Sequence, residues 1–114
     1  AFVYLGLTDS AGHEFGWMGE EYRKACRQSL DEIKLLAETF TEEYTLIITA
    51  DHGGHDRSHG SLEEADMRIP LICIGPDFQP ETRFAQAGIC DIAPTVTQLT
   101  GAFPAREWEG KSLL

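Results

Sequence analysis

Positive charge is scarce in this sequence. Nine Lys and Arg stand against 19 Asp and Glu, a formal charge of −10 with the histidines neutral. With a pI near 4.6 and its basic residues scattered, the chain repels polyanions, which excludes passive binding of nucleic acid. Any phosphate-bearing ligand needs positive charge from another source. Cysteine is sparse too. Cys26, Cys73 and Cys90 are odd in number and far apart, which argues against a disulfide framework or a thiolate metal site and predicts three buried, reduced thiols. Unpaired thiols favour a reducing, cytoplasmic compartment. No apolar run approaches the roughly 20 residues of a membrane span, and no basic stretch followed by an apolar one opens the chain. Internal repeats, low-complexity tracts and linkers are missing, so one unit spanning 1–114 is expected.

What is present suits a folded α/β chain. At 42% apolar residues, a protein of this size buries roughly two-thirds of its unfolded surface. The chain opens without Met inside an apolar run, so it is expected to be part of a larger domain. Ala1 to Thr8 reads as a strand covered on both faces, Asp9 to Gly19 as a glycine-bearing loop, and Tyr44 to Ala50 as a second buried strand. Between them Tyr22, Ala25, Cys26, Ser29, Leu30, Ile33, Ala37 and Phe40 fall at spacings of three and four, predicting a helix over Glu20 to Phe40. Asp51 to Asp66 is expected as a long loop and Ile69 to Ile74 as a third strand with Pro70 at its start. A short helix over Asp91 to Thr100 is predicted with Asp91 as its cap and Gly101 as its stop. The pattern implies a mainly parallel sheet with flanking helices, the first two strands adjacent and joined by a right-handed crossover. Phe103 and Trp108 in the tail are expected to cover that sheet. Trp17, with Phe15 and Met18, either lines an apolar pocket or packs beneath its loop.

The chemistry gathers where two of these strands end. Ligands bind outside the carboxyl ends of strands in open α/β sheets, and here Asp9 with His13 and Asp51 with His52 follow two apolar runs, with His59 in the same loop as the second pair. Carboxylate and imidazole together suit zinc or manganese. A serine triad using Ser10 has the residue types but no Gly-x-Ser-x-Gly elbow. His55, Asp56 and Arg57 are candidates to touch a substrate phosphate or to orient metal-bound histidines, or are simply solvated.

These segments also carry a family resemblance. Asp9-Ser-Ala-Gly-His13-Glu-Phe-Gly16, Thr49-Ala-Asp51-His52-Gly53-Gly54 and His59-Gly60 resemble the metal motifs of the alkaline phosphatase superfamily, nearest to its type I phosphodiesterase and nucleotide pyrophosphatase branch. Met67 to Pro76, Asp91-Ile-Ala-Pro94-Thr95, Gly101 and Glu109-Gly110-Lys-Ser112-Leu113 are similar to that superfamily's later strand, closing helix and tail. The resemblance implies the C-terminal part of a three-layer α/β catalytic domain holding two divalent ions, Zn2+ first and Mn2+ as the alternative. It places Asp9, His13 and His59 on one ion and Asp51 with His52 on the other. No catalytic nucleophile is assigned within the chain, because the family's Thr or Ser and a further aspartate lie upstream of the segment matching Asp9. The implied activity is hydrolysis of phosphodiesters or pyrophosphate-linked substrates by in-line transfer, in partnership with that N-terminal half and a small phosphorylated substrate. Phosphomonoesterase, phosphomutase and sulfatase-like activities are alternatives, as is a metal-binding or interaction module without catalysis. Gly16 stands where mutases of the superfamily commonly carry an acid, and His52 where sulfatases carry the Asn of a calcium site.

Overall fold

The computed structural model describes residues 1–40 and 42–114. Its elements in chain order are α1 (Leu7–Phe15), α2 (Glu20–Phe40), β1 (Leu46–Thr49), α3 (Glu64–Met67), β2 (Leu71–Ile74), a single 3-10 turn (Ile89–Asp91) and α4 (Ile92–Leu99). Helix α2 has the bounds that the apolar spacing predicts, with Glu20 and Glu21 in its first turn, where the helix dipole favours acids. Its buried residues, Ala25 and Ser29, are small, as are Ala11 and Gly12 on α1. Small side chains let the two helices pack against each other closely.

Two expectations fail at the start of the chain. The run over Ala1 to Thr8 is no strand, and the segment from Asp9 is helical as far as Phe15. A strand persists only where a neighbouring strand takes its N–H and C=O groups, and residues 1–6 have no such neighbour among the described residues. Helix α1 satisfies its own backbone, and Asp9 sits in its first turn at the positive end of the dipole. The predicted side-by-side pairing of two parallel strands and its crossover are therefore not formed.

The sheet described has two strands, β1 and β2, and they are antiparallel. Leu46 pairs with Ile74 and Thr49 with Leu71. Pro70 precedes β2 directly, where its missing N–H breaks no ladder. The Thr45 hydroxyl donates to the Asp77 carboxylate beyond the other end of the ladder.

At α4 the predicted cap serves a different purpose. Asp91 precedes the helix, but its Oδ1 accepts the Lys111 N–H at 2.8 Å and its Oδ2 the Gly88 N–H at 2.8 Å. These bonds, Lys111 first, hold the Asp91 carboxyl below its usual range. Thr95, wholly buried, donates to the Asp91 carbonyl and accepts the Leu113 N–H at 3.0 Å. One aspartate and one threonine thus tie the tail to the start of α4.

The apolar interior is thin. Among the described residues only Ala11 and Ala25 are buried hydrophobics, while Phe2, Leu62 and Phe103 are at least 90% exposed. Cys90 is exposed and Cys26 and Cys73 half-buried, so the cysteines do not form the expected core. Phe103, 93% exposed, does not cover the sheet. The accessible surface is 8812 Å², against about 6200 Å² for a compact monomer of this mass. No described helix is long and apolar enough to cross a membrane.

Candidate metal centre

Asp9 and His13 lie four residues apart on α1, hence on one face of it. His52 follows β1, and His59 comes from the loop before α3. These elements meet at one atom. Asp9 Oδ1 lies 3.5 Å from His13 Nε2, 3.8 Å from His59 Nε2 and 3.8 Å from His52 Nε2. Asp9, His13 and His59 form a compact group whose ligand atoms all lie within 4.8 Å of one another, an arrangement able to hold a metal ion. Ligands about 2.0 Å from a tetrahedral ion are about 3.3 Å from each other, close to the Asp9 to His13 separation.

Asp9 Oδ1 is sealed from solvent and has no hydrogen-bond partner. A buried carboxylate oxygen left unpaired costs several kcal/mol in principle, so the cradle is incomplete as a purely protein structure. A cation among the three imidazoles is the complement that carboxylate chemistry calls for.

The ring orientations fit the same purpose. His13 Nδ1 donates to the Arg57 carbonyl at 3.0 Å, and His52 Nδ1 to the Gly53 carbonyl at 2.7 Å. Each bond fixes the proton on Nδ1 and leaves the Nε2 lone pair facing Asp9, the usual manner in which metal-bound histidines are oriented. His52 and His59 stack with ring centroids 3.6 Å apart and planes 14° apart.

Trp17 locks α1 to the loop. Its indole lies against both Gly12 and Gly54, and a Cβ at either glycine would collide with the ring. Its backbone N–H donates to the Asp56 carbonyl at 2.7 Å, and the ring meets His13 edge-on at a centroid distance of 5.0 Å. Of the two readings of Trp17, packing beneath the loop is the one formed, whereas Phe15 and Met18 are exposed. Gly53 is constrained on its other side, because a Cβ there would strike the Ala65 carbonyl. The Gly53-Gly54 pair is thus required by two close approaches.

His55 takes no direct part in the cluster. Its Nδ1 donates to Asp66 Oδ1 at 2.8 Å, and Asp66 Oδ2 accepts the Ser61 N–H at 2.7 Å. The mutual bond raises the His55 pKa above its ordinary value and lowers Asp66 to about 2. Asp66 also accepts the Gly53 N–H on its carbonyl at 2.7 Å. Asp66 was missed by sequence reasoning, because among Glu63, Glu64 and Asp66 an acid pointing inward looks like one facing water.

Of the residues singled out in the sequence, Asp9, His13, His52 and His59 come together. Asp51 lies at the edge, its Oδ1 3.8 Å from His52 Nε2 and its side chain 77% exposed. Asp56 and Arg57 contribute backbone carbonyls to the site. Ser10 Oγ donates to the Gly6 carbonyl within α1, and no described bond links it to a histidine.

Fold and site together define a protein of helices and a small antiparallel sheet that carries a carboxylate and imidazole cluster able to hold a metal ion. The chain belongs to the Metalloenzyme superfamily, whose family model matches residues 1–103. Membership implies divalent metal ions. A curated relative, 2,3-bisphosphoglycerate-independent phosphoglycerate mutase 2 of Methanosarcina barkeri (strain Fusaro / DSM 804), is 35% identical over 72 residues, which are 60% of this chain and 14% of the relative. The matched part is thus a small portion of that protein. No solved structure matches.

Proposed function

We propose that this chain is the metal-holding part of a phosphoryl-transfer enzyme, and that Asp9, His13 and His59 hold one divalent ion while Asp51 and His52 contribute to a second. The observation that carries this reading is Asp9 Oδ1, a solvent-sealed carboxylate oxygen with no hydrogen-bond partner and three imidazole nitrogens within 3.8 Å. Imidazole suits Zn2+ or Mn2+ better than calcium, and Zn2+ is the first choice. When bound, paired ions supply the Lewis acidity that stabilises attacking and leaving oxygens of an in-line displacement, and the positive charge that an acidic chain otherwise denies a phosphate. The chain's own contribution is orientation. The carbonyls of Arg57 and Gly53 set the rings of His13 and His52, Trp17 fixes α1 against the loop, and three protein donors leave a coordination position open.

The transferred group needs a hydroxyl acceptor. Ser10 is engaged within its helix, so the nucleophile and a further aspartate are proposed to come from a segment outside these 114 residues, joined to this one as a larger α/β domain. Hydrolysis of phosphodiesters or pyrophosphate-linked substrates is one form of the activity, supported by Gly16. Phosphate movement on a small phosphorylated acid is the second, supported by the relative named as a phosphoglycerate mutase.

The test is turnover with Zn2+ or Mn2+ of bis(p-nitrophenyl) phosphate, p-nitrophenyl phosphate and 3-phosphoglycerate, by this chain alone and by the longer protein that contains it. We expect the longer protein to turn over one of the three and the 114-residue chain to be slower by a hundredfold or more, since loss of a nucleophile or of a charge clamp costs on the order of several kcal/mol. Equal rates would place the whole catalytic apparatus within these residues and overturn the division proposed.

A further inference from the structure

We infer that His55 and Asp66 are positioning residues for the metal ligand His13, acting through the tight turn over residues 55–58. The inference rests on the metal-centre reading above, but its geometry is independent of any ion. His55 and Ser58 exchange both backbone hydrogen bonds, at 3.0 and 2.9 Å, and close a turn in which Asp56 has φ +47°. The two central carbonyls of that turn are spent on α1 and on the residue just beyond its end. Asp56 accepts the Trp17 N–H at 2.7 Å, and Arg57 accepts His13 Nδ1 at 3.0 Å.

Something must hold this turn at the correct height, because a non-glycine residue at positive φ is strained and an exposed four-residue turn is weakly restrained by its own bonds. The His55 side chain supplies the restraint. It reaches to Asp66, whose side chain is 2% exposed and is held by Ser61 on its other oxygen. The Asp66 carbonyl and the neighbouring Ala65 carbonyl take the N–H groups of Gly53 and Gly54 at 2.7 and 2.9 Å. Asp66 is therefore where the beginning, middle and end of the loop are fastened together. A displacement of the turn by even 1 Å would stretch the Arg57 to His13 bond beyond useful length. The His13 ring would then be free to exchange its tautomer, placing a proton on Nε2 where the lone pair is required.

The test compares wild type with His55→Ala, with His55→Phe, which keeps a ring but no donor, and with His55→Asn, whose amide N–H replaces the Nδ1–H. The first readout is the 15N signature of the His13 imidazole in metal-free protein. Wild type and His55→Asn should show the proton on Nδ1, whereas His55→Ala and His55→Phe should show the mixture typical of a free histidine. The second readout is Co2+ affinity and the visible absorption of the Co2+-loaded protein. The Ala and Phe variants should bind about 10- to 100-fold more weakly with an altered spectrum, and Asn should recover both. An unchanged His13 signature in a folded Ala or Phe variant, or a His55→Asn protein no better than His55→Ala, would overturn the inference. Unfolding of both Ala and Phe with Asn folded but showing the free-histidine mixture would overturn it equally. Failure of wild type to bind Co2+ would overturn the metal reading alone, since the His13 signature is read without metal.

Discussion

Asp9 carries an unpaired acceptor that the cation proposed above would satisfy. In the metal-free protein its buried Oδ1 is an unpaired acceptor, which is destabilising, and the Asp9→Asn variant offers an amide N–H to the imidazoles in its place. That substitution should raise metal-free stability by about 1 to 2 kcal/mol while abolishing tight Zn2+ binding, a trade typical of functional sites. Urea denaturation and calorimetry would check the two halves separately. The pair at His55 and Asp66 predicts a dependence on pH. Asp66, lowered to about 2 chiefly by its bond from His55, adds stability that is complete above its ordinary value near 3.8 and is lost as pH falls toward 2. His55, raised above 6.5 chiefly by the same bond, adds stability that is complete below 6.5 and is lost as pH rises through its folded value. The gap in Tm between wild type and Asp66→Asn should therefore be widest between about pH 4 and 6.5. A gap constant from pH 3 to 9 would contradict the ion pair.

Among the elements, the interface of α1 with the Gly53-Gly54 segment is the one on which the centre depends, since the Trp17 indole lies against Gly12 on one side and Gly54 on the other. Gly54→Ala should wedge the indole out and cost about 1 to 3 kcal/mol by overpacking. Its effect on Zn2+ affinity should exceed that of Gly101→Ala, a glycine whose surroundings are open; denaturation and calorimetry on both would show it. The sequence made α2 legible to the residue, because a 21-residue amphipathic pattern averages over many positions. It also brought forward the four residues that converge, since carboxylate and imidazole after apolar runs are chemically distinctive. Helix α1 was illegible for the opposite reason. Leu7 to Phe15 is short, contains Gly12, and adjoins an apolar run, so local pattern favoured a strand ending in a loop. Strand direction was equally hidden, because Leu46–Thr49 and Leu71–Ile74 are apolar runs that look alike in either orientation.

At the scale of these 114 residues, the unusual quantity is surface. A radius of gyration of 15.4 Å compares with about 13 Å for a compact domain of this length, and Phe2, Val3, Tyr4, Phe103 and Trp108 are exposed, apolar surface that the larger domain proposed above would cover. The proposed metal would add cohesion to these residues, since a ligand that binds only the native state stabilises it by mass action. Zn2+ at about a hundred times its dissociation constant should add about 2.7 kcal/mol, read as a rise in Tm that a chelator reverses. The places from which the ligands come give that cohesion a particular form. Asp9 and His13 belong to the opening helix and His59 to a loop far along the chain, so a cation held as proposed would act as a removable rivet between distant stretches of backbone. A protease that nicks the chain at the exposed Glu42 or Glu43 would cut it without parting it, and with the proposed ion bound the two pieces would travel together through a sizing column until the rivet was drawn.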